Sequence, residues 1–453
     1  MEYKEFLEAK RHNLGKYGFK ANYIPDIAFD FQKHVIEKAV EKGRIACFLD
    51  TGLGKTLVQL SIAENIIRHT NKRVLILTPL AVAFQFLLEA EKIGIDDIEY
   101  SKYGTHTKKI VICNYERLHY FDQKDFEGVI LDESSILKNF DGKIKNQINS
   151  FIKKVPYRFL STATPSPNDF IELGTSSEAL GYMGYMDMLG KFFKNNNNSI
   201  DPKHAGEKWY LKPHAENDFF AWVNQWSVLA KMPSDLGFSD EKYILPELII
   251  NKHTVKNTNL VEIDGQVQLF NLVAKGFHEI RYEQKQTITE RSEKAVELTG
   301  DKTSVYWVNL NNESKLINEI DSEAVEILGS MSSDKKEDIL VNFAKGNIKR
   351  IITKAKMTGM GLNWQHCNHS VFFPTYSYEQ YYQAIRRFWR FGQKREVTID
   401  LVISDGQQRV LEAIQKKTEK AKQLHTKLTE NVNSVYTHVQ KDFNKQINKP
   451  KFL

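Results

Sequence analysis

The feature that most constrains this chain is an apolar run at 45–49 that breaks into Asp50, Thr51, Gly52, Leu53, Gly54, Lys55 and Thr56. Apolar helical spacing then resumes at 57–63. The order predicts strand, glycine-rich turn, helix. The glycines let backbone N–H groups close around an anion, and the helix N-terminus adds positive potential. Such a turn cradles phosphates. Lys55 can then reach the outer phosphates of a nucleoside triphosphate, and the Thr56 hydroxyl can ligate Mg²⁺. The longer spacing with a glycine six residues before the lysine is not met, because Leu49 stands there. The bland alternative is a glycine-rich turn with a surface lysine. It fits poorly between a buried strand and an amphipathic helix.

Short apolar runs recur at 74–77, 110–112, 129–131 and 158–160, each closed within two residues by a turn-forming or hydroxyl residue, with helical patterns between them. The pattern returns at 304–308, 351–352, 370–373 and 398–402. Runs of that length separated by helices predict parallel sheets buried on both faces. The 453 residues allow about three domain equivalents. We expect a first α/β unit over 1–174, an aromatic-rich insertion or linker over 175–245, a second α/β unit over 246–404, and a charged helix with a polar tail over 405–453. In the middle stretch, Phe192, Phe193, Trp209, Tyr210, Phe219, Phe220, Trp222 and Trp226 are spaced irregularly. A small local core is the expectation there, ahead of base stacking. The asparagine run at 195–198 reads as a surface loop.

Apolar residues make up 41% of the chain and the formal net charge is +6. The first figure excludes wholesale disorder. The second permits nucleic-acid binding without demanding it. Three scattered cysteines, Cys47, Cys113 and Cys367, argue against a disulfide framework and for a reducing compartment. Cys47 and Cys113 lie in apolar runs and read as small buried hydrophobes. No apolar stretch approaches the ~18 residues of a membrane span. A cytoplasmic protein without membrane contact is the expectation.

A second acidic site follows the run 129–131. Asp132 at a strand end can hold Mg²⁺ through water, and Glu133 can orient or deprotonate an attacking water. An isolated Asp-Glu pair is commonly a solvated turn. Its weight comes from the phosphate cradle upstream.

In order along the chain, these motifs resemble those of superfamily-two helicases, and within them the Swi/Snf-type DNA translocases. Gln32, about two dozen residues before the cradle, resembles the family's adenine-reading glutamine. The segments beginning at Thr78 and at Cys113, the latter including Tyr115, resemble segments that approach the DNA backbone. Asp132 to Asn139 is similar to the Swi/Snf form of motif II, with its trailing Lys-Asn. Ser161 to Pro165, followed by Asn168, resembles motif III. In the second half, 303–309 resembles motif IV, and Thr353, Lys354, Gly361 and Asn363 fall in a segment like motif V. Gln383, Arg387, Arg390, Gly392 and Gln393 follow the motif VI pattern Q-x-x-x-R-x-x-R-x-G-Q. The resemblance spans about residues 29–400 and is nearest in flavour to compact bacteriophage and prophage versions.

The resemblance implies an α/β fold of two RecA-like parallel-sheet lobes in tandem, an ATP cleft between them, and an insertion after motif III. It implies ATP and Mg²⁺ as cofactors and duplex or branched DNA as partner to a monomer. Lys55, Asp132, Glu133, Arg387 and Arg390 would be catalytic, the two arginines neutralising charge on the transferring phosphoryl group. Gln32, Gly52, Gly54, Lys55, Thr56, Gly361 and Gln383 would bind nucleotide, and Thr56 and Asp132 the metal. Thr78, Tyr115, Thr353, Lys354 and Asn363 would meet nucleic acid. Without the resemblance, a helix bearing Arg386, Arg387, Arg390 and Arg395 would read as a solvated basic face. Motif II here lacks the family's common histidine, so its contact with motif III must be made differently, with Ser135 as the candidate. The cluster His366, Cys367, Asn368, His369 invites a zinc reading but has no second ligand group in sequence. Trp307 and Trp364 read as packing residues. The activity implied is ATP-dependent movement on DNA, remodelling forks or branches. The alternatives are a strand-separating DNA or RNA helicase, or an ATP-dependent switch subunit of a defence or restriction assembly.

Overall fold

The computed structural model describes residues 17–79, 82–138, 143–166, 169–196, 208–256, 261–263, 266–268, 283–355, 363–408, 410–419 and five positions between 422 and 429. They divide into two compact units. One is drawn from 1–78, 86–240 and 421–453, the other from 79–85 and 241–420. Among the described residues no helix is long and apolar enough to cross a membrane.

The first unit opens with α1 (Asp30–Lys42) and β1 (Arg44–Leu49). Next come α2 (Lys55–Thr70), β2 (Arg73–Thr78), α3 (Ala83–Lys92), β3 (Ile98–Tyr100) and β4 (Ile110–Asn114). β5 (Phe126–Asp132), α4 (Lys143–Ile152) and β6 (Tyr157–Ser161) follow. With β9 (Ser227–Ala230) at its edge, the sheet order is β3-β4-β2-β5-β6-β1-β9, and every pairing in it is parallel. β1, β2, β4 and β5 are buried almost throughout, as strands covered by helices on both faces must be.

The aromatic stretch after residue 175 builds α5 (Leu173–Leu180), α6 (Tyr185–Phe192), a hairpin of β7 (Phe193–Asn195) with β8 (Trp209–Leu211), α7 (Glu216–Trp226) and β9 (Ser227–Ala230). Its rings form no separate local core. Phe192, Phe219, Phe220, Trp222 and Trp226 join one hydrophobic cluster with Phe48, Leu75 and Leu131 of the sheet, and Trp226 meets Phe48 edge to face at 6.2 Å. β9 extends the sheet beside β1, and its Ala230 carbonyl accepts the N–H of Asp50, the first residue after β1. Each fully buried ring contributes roughly 2–3 kcal/mol, so this segment anchors the strand that feeds the phosphate cradle. Asn195 ends β7, while 197–198 of the asparagine run lie outside the described residues.

The second unit contains β10 (Leu248–Val255), a hairpin of β11 (Val261–Ile263) and β12 (Gln266–Gln268), α8 (Ile288–Thr299), β13 (Ser304–Trp307), α9 (Asn311–Ile320) and β14 (Ala324–Glu326). α10 (Ser333–Ala344), β15 (Arg350–Thr353), β16 (His369–Phe372), α11 (Tyr378–Ile385) and β17 (Val397–Ser404) complete it. Its six-stranded sheet runs β10-β17-β16-β13-β15-β14, again all parallel. Trp307 and Trp364 are buried against each other, ring centres 5.8 Å apart. Within the charged segment after 405, residues 410–419 are helical, and the polar tail beyond 432 lies outside the described residues.

Candidate active site

Parallel strands deliver their C-terminal ends to one edge of the first sheet, where α/β folds bind ligands. β1 passes there into the glycine turn. Gly52 and Gly54 take φ of 95° and 80°, values that side chains resist, and α2 starts at Lys55. The Lys55 ammonium donates to the carbonyls of Leu49 (3.2 Å) and Asp50 (3.4 Å). Gln32 is buried, and its amide spans two segments. Its oxygen accepts from the Phe29 N–H (2.9 Å) and its nitrogen donates to the Leu53 carbonyl inside the turn (3.0 Å). A Cβ at Gly54 would lie 2.2 Å from that nitrogen. The glutamine expected to read adenine therefore also braces the cradle.

β5 ends in Asp132, whose buried carboxylate accepts a hydrogen bond at each oxygen. Gln59 Nε2 donates to Oδ1 at 2.8 Å and to Ser161 Oγ at 3.2 Å. The Thr78 hydroxyl donates to Oδ2 at 3.1 Å. The Tyr115 hydroxyl donates to the Asp132 carbonyl. Burial raises the Asp132 pKa above its ordinary value, opposed by the Gln59 hydrogen bond, the Lys55 charge and the Thr78 hydrogen bond. Gln59 escaped notice in the sequence, although it stands four residues after Lys55 and so on the same helix face.

The resemblance made Thr78 and Tyr115 nucleic-acid contacts. Thr78 and Tyr115 are 0% and 2% exposed, and their hydroxyls turn toward Asp132, not toward solvent. Apolar strand ends and an aromatic after a strand look alike whether they face a ligand or the core. Only the tertiary packing separates the two.

Glu133 adopts φ of 49°, the left-handed region that costs a non-glycine residue roughly 1 kcal/mol or more. Thr162 Oγ1 lies 3.4 Å from Glu133 Oε2 and accepts from the Thr164 N–H at 3.1 Å. Thr162, and not Ser135, thus makes a direct side-chain link between the segments around 133 and 162, beside the bridge that Gln59 makes between Asp132 and Ser161. Asn139 and Asn168 lie outside the described residues.

In the second unit, α11 ends at Ile385, so the arginines sit on successive turns and not on a helix as expected. Arg387 is pinned by Trp364. Its guanidinium lies 5.2 Å from the ring centre, and its carbonyl accepts the Trp364 N–H. Arg386 lies over Trp389 at 4.9 Å, and Arg390 is half-buried. Gln383 is half-buried on α11. Gln393, unassigned from sequence, staples the arginine turns to 365–367 by donating to the carbonyls of Gln365 and Cys367. The guanidinium of Arg395 is likewise occupied, on the His366 carbonyl. His369 is spent within the sheet, its ring between Ser304 Oγ and Asp400 Oδ2, each at 2.9 Å.

Thr353 is 1% exposed, so its side chain is no surface contact. Lys354, one residue on, lines an open pocket of about 210 Å³ with Lys285, Asn309, Leu310, Asn311 and Asn312 at the N-terminus of α9. The Lys354 ammonium donates to Asn311 Oδ1 at 2.6 Å. Asn363 is exposed, and Gly361 lies outside the described residues.

Two family models match this chain. The DEAD/DEAH box helicase model covers residues 29–172, and the helicase conserved C-terminal domain covers 284–392. Together they take in more than half of the chain, which belongs to the superfamily-two helicases and carries a helicase-type ATPase core. Among solved structures it is similar to a Sulfolobus solfataricus SWI2/SNF2 ATPase core in complex with dsDNA. That likeness has 19% identity and a TM-score of 0.42, covering 86% of this chain and 90% of the other. No curated protein matches.

Proposed function

We propose that this protein is an ATP-driven DNA translocase of the Swi/Snf type, which remodels forked or branched DNA. The observation that carries the reading is the buried carboxylate at the end of β5. Asp132 is held by Gln59 and Thr78 within electrostatic reach of Lys55, at the sheet edge where the glycine turn opens. The hydroxyl of Thr56 and the carboxylate of Asp132 would supply the hard oxygen donors that suit Mg²⁺. Bound Mg²⁺ would neutralise charge on the outer phosphates. Lys55 exchanges its carbonyl partners for those phosphates. Glu133, steadied by Thr162, orients the attacking water. Arg387 and Arg390 are the candidates for stabilising the transferring phosphoryl group.

DNA is proposed as the partner from the Swi/Snf form of residues 132–138 and 383–393. Lys354 and Asn363 are the backbone contacts that remain once Thr78, Tyr115 and Thr353 are set inside the core. The pocket around Lys354 brings two ammonium groups together, which favours phosphate, while the N–H groups of Asn309 and Leu310 at the start of α9 are already taken by the Glu313 carboxylate. Backbone contacts carry little sequence information, so binding should be sequence-tolerant and salt-sensitive.

The test is the steady-state ATPase rate with no nucleic acid, with duplex DNA, with single-stranded DNA and with RNA. Stimulation by duplex DNA above the rest supports translocation. A preference for single strands or RNA points to a strand-separating helicase. No stimulation by any of them overturns the reading and favours a partner-controlled switch.

A further inference from the structure

At the β3–β4 edge of the first sheet two loops lie against each other. Residues 101–104 follow β3, and a 3-10 helix, Tyr115–Tyr120, follows β4. Tyr103 is 63% exposed and Tyr120 49%, yet they meet edge to face with centres 5.8 Å apart and planes at 76°. The Arg117 guanidinium lies 5.3 Å from the Tyr103 ring centre and donates to the Lys102 carbonyl at 3.1 Å. Gly104 has φ of +77°, and a Cβ there would come within 2.1 Å of the Tyr120 carbonyl oxygen. The two backbones therefore touch where only glycine fits, and the rings are presented on a fixed base. Neither ring belongs to the core cluster that takes in Tyr115 and Leu118 of the same turn.

Rings held together in solvent beside a guanidinium and the exposed Lys102 suit a ligand with flat π faces and negative charge. A carboxylate on the same turn, Glu116, accepts from Asn114 at 3.0 Å. Paired bases inside a duplex are stacked on one another and offer no face to a side chain, whereas unpaired bases do. The surface is also remote from the cradle. β4 stands four strands from β1, about 19 Å at the usual strand spacing.

We propose that Tyr103 and Tyr120, flanked by Lys102 and Arg117, form a stacking platform for an unpaired base of single-stranded DNA. The inference rests on the DNA reading above and specifies which part of a forked substrate this edge holds.

The test uses the full chain and forked DNA carrying 2-aminopurine along its single-stranded arm, beside a blunt duplex. The wild-type protein should quench the fluorophore. Tyr103→Ala/Tyr120→Ala should abolish the quench and weaken affinity for the single strand about tenfold for each base released, with affinity for the blunt duplex retained. Tyr103→Phe/Tyr120→Phe keeps both rings and should restore quench and affinity. Unaltered single-strand affinity in the alanine pair overturns the platform while leaving translocation intact. An equal loss on the blunt duplex also overturns it, since the patch would then be a backbone contact. Failure of the phenylalanine pair to restore binding excludes stacking as the cause. Absence of DNA binding by the wild-type protein would instead bring down the reading on which the proposal rests.

Discussion

The hydroxyl of Thr78 at the end of β2 donates to Oδ2 of Asp132 at the end of the adjacent β5, 3.1 Å away in a fully buried position. A hydrogen bond to a charged group is worth about 1.5–3 kcal/mol. Thr78→Val keeps the shape and removes the donor. Turnover should fall at least about tenfold while DNA affinity holds. A loss of DNA affinity with normal turnover would return Thr78 to the nucleic-acid path.

Gln32→Ala should loosen the cradle, because the amide that ties Phe29 to Leu53 is lost. The expected result is a KM for ATP raised about tenfold, on the scale of one or two lost buried hydrogen bonds. GTP tests the second role. If bracing is the whole function, ATP and GTP weaken in parallel. A selective loss of ATP preference would mean that the amide also reads adenine.

Lys354→Ala should weaken DNA binding and lower the steepness of its salt dependence by about one unit of slope, as expected for a lost phosphate contact. ATP affinity should change little. Binding measured across a salt series decides it, and an unchanged slope removes the Lys354 pocket from the DNA path.

Asp400 accepts from His369, His253 and Asn251, each at 2.9–3.0 Å, in the second sheet. Burial pushes its pKa up, but the hydrogen bonds from His369, Asn251 and His253 outweigh it and hold the carboxyl well below its ordinary value. A depressed folded-state pKa gives stability that is present above the unfolded value of 3.8 and lost as pH falls below it. Asp400→Asn should therefore cost about 2 kcal/mol at pH 7, with the gap to wild type closing in acid. Denaturant melts at stepped pH would show it, and a pH-independent gap would rule it out.

What the sequence made legible follows from how local each feature is. β1, the glycine turn and α2 are contiguous and their chemistry dictates their residue types, so they could be read directly. β10 could not, because as an edge strand it is half-exposed and carries Asn251, Lys252 and His253 in place of an apolar run. β9 is four residues at the end of an aromatic helix, and its place beside β1 is a long-range pairing without local signature. The same limit hid the roles of Thr78, Tyr115 and Thr162. Their residue types suit a ligand surface as well as an interior brace, and burial alone decides. The tyrosines of the β3–β4 edge lie in separate loops, so nothing along the chain marks them as a pair.

The 3-10 helix Tyr115–Tyr120 has one end on the Asp132 carbonyl and the other at a solvent-facing ring. Six residues in so tight a helix span only about 12 Å. If a ligand at one end biases the other, thermodynamic reciprocity gives that coupling no preferred direction. By whatever factor a strand at Tyr120 alters nucleotide affinity, the nucleotide must alter the grip on that strand by the same factor. On the proposed reading, such a coupling would make each half of the ATP cycle felt at the surface as a change in hold.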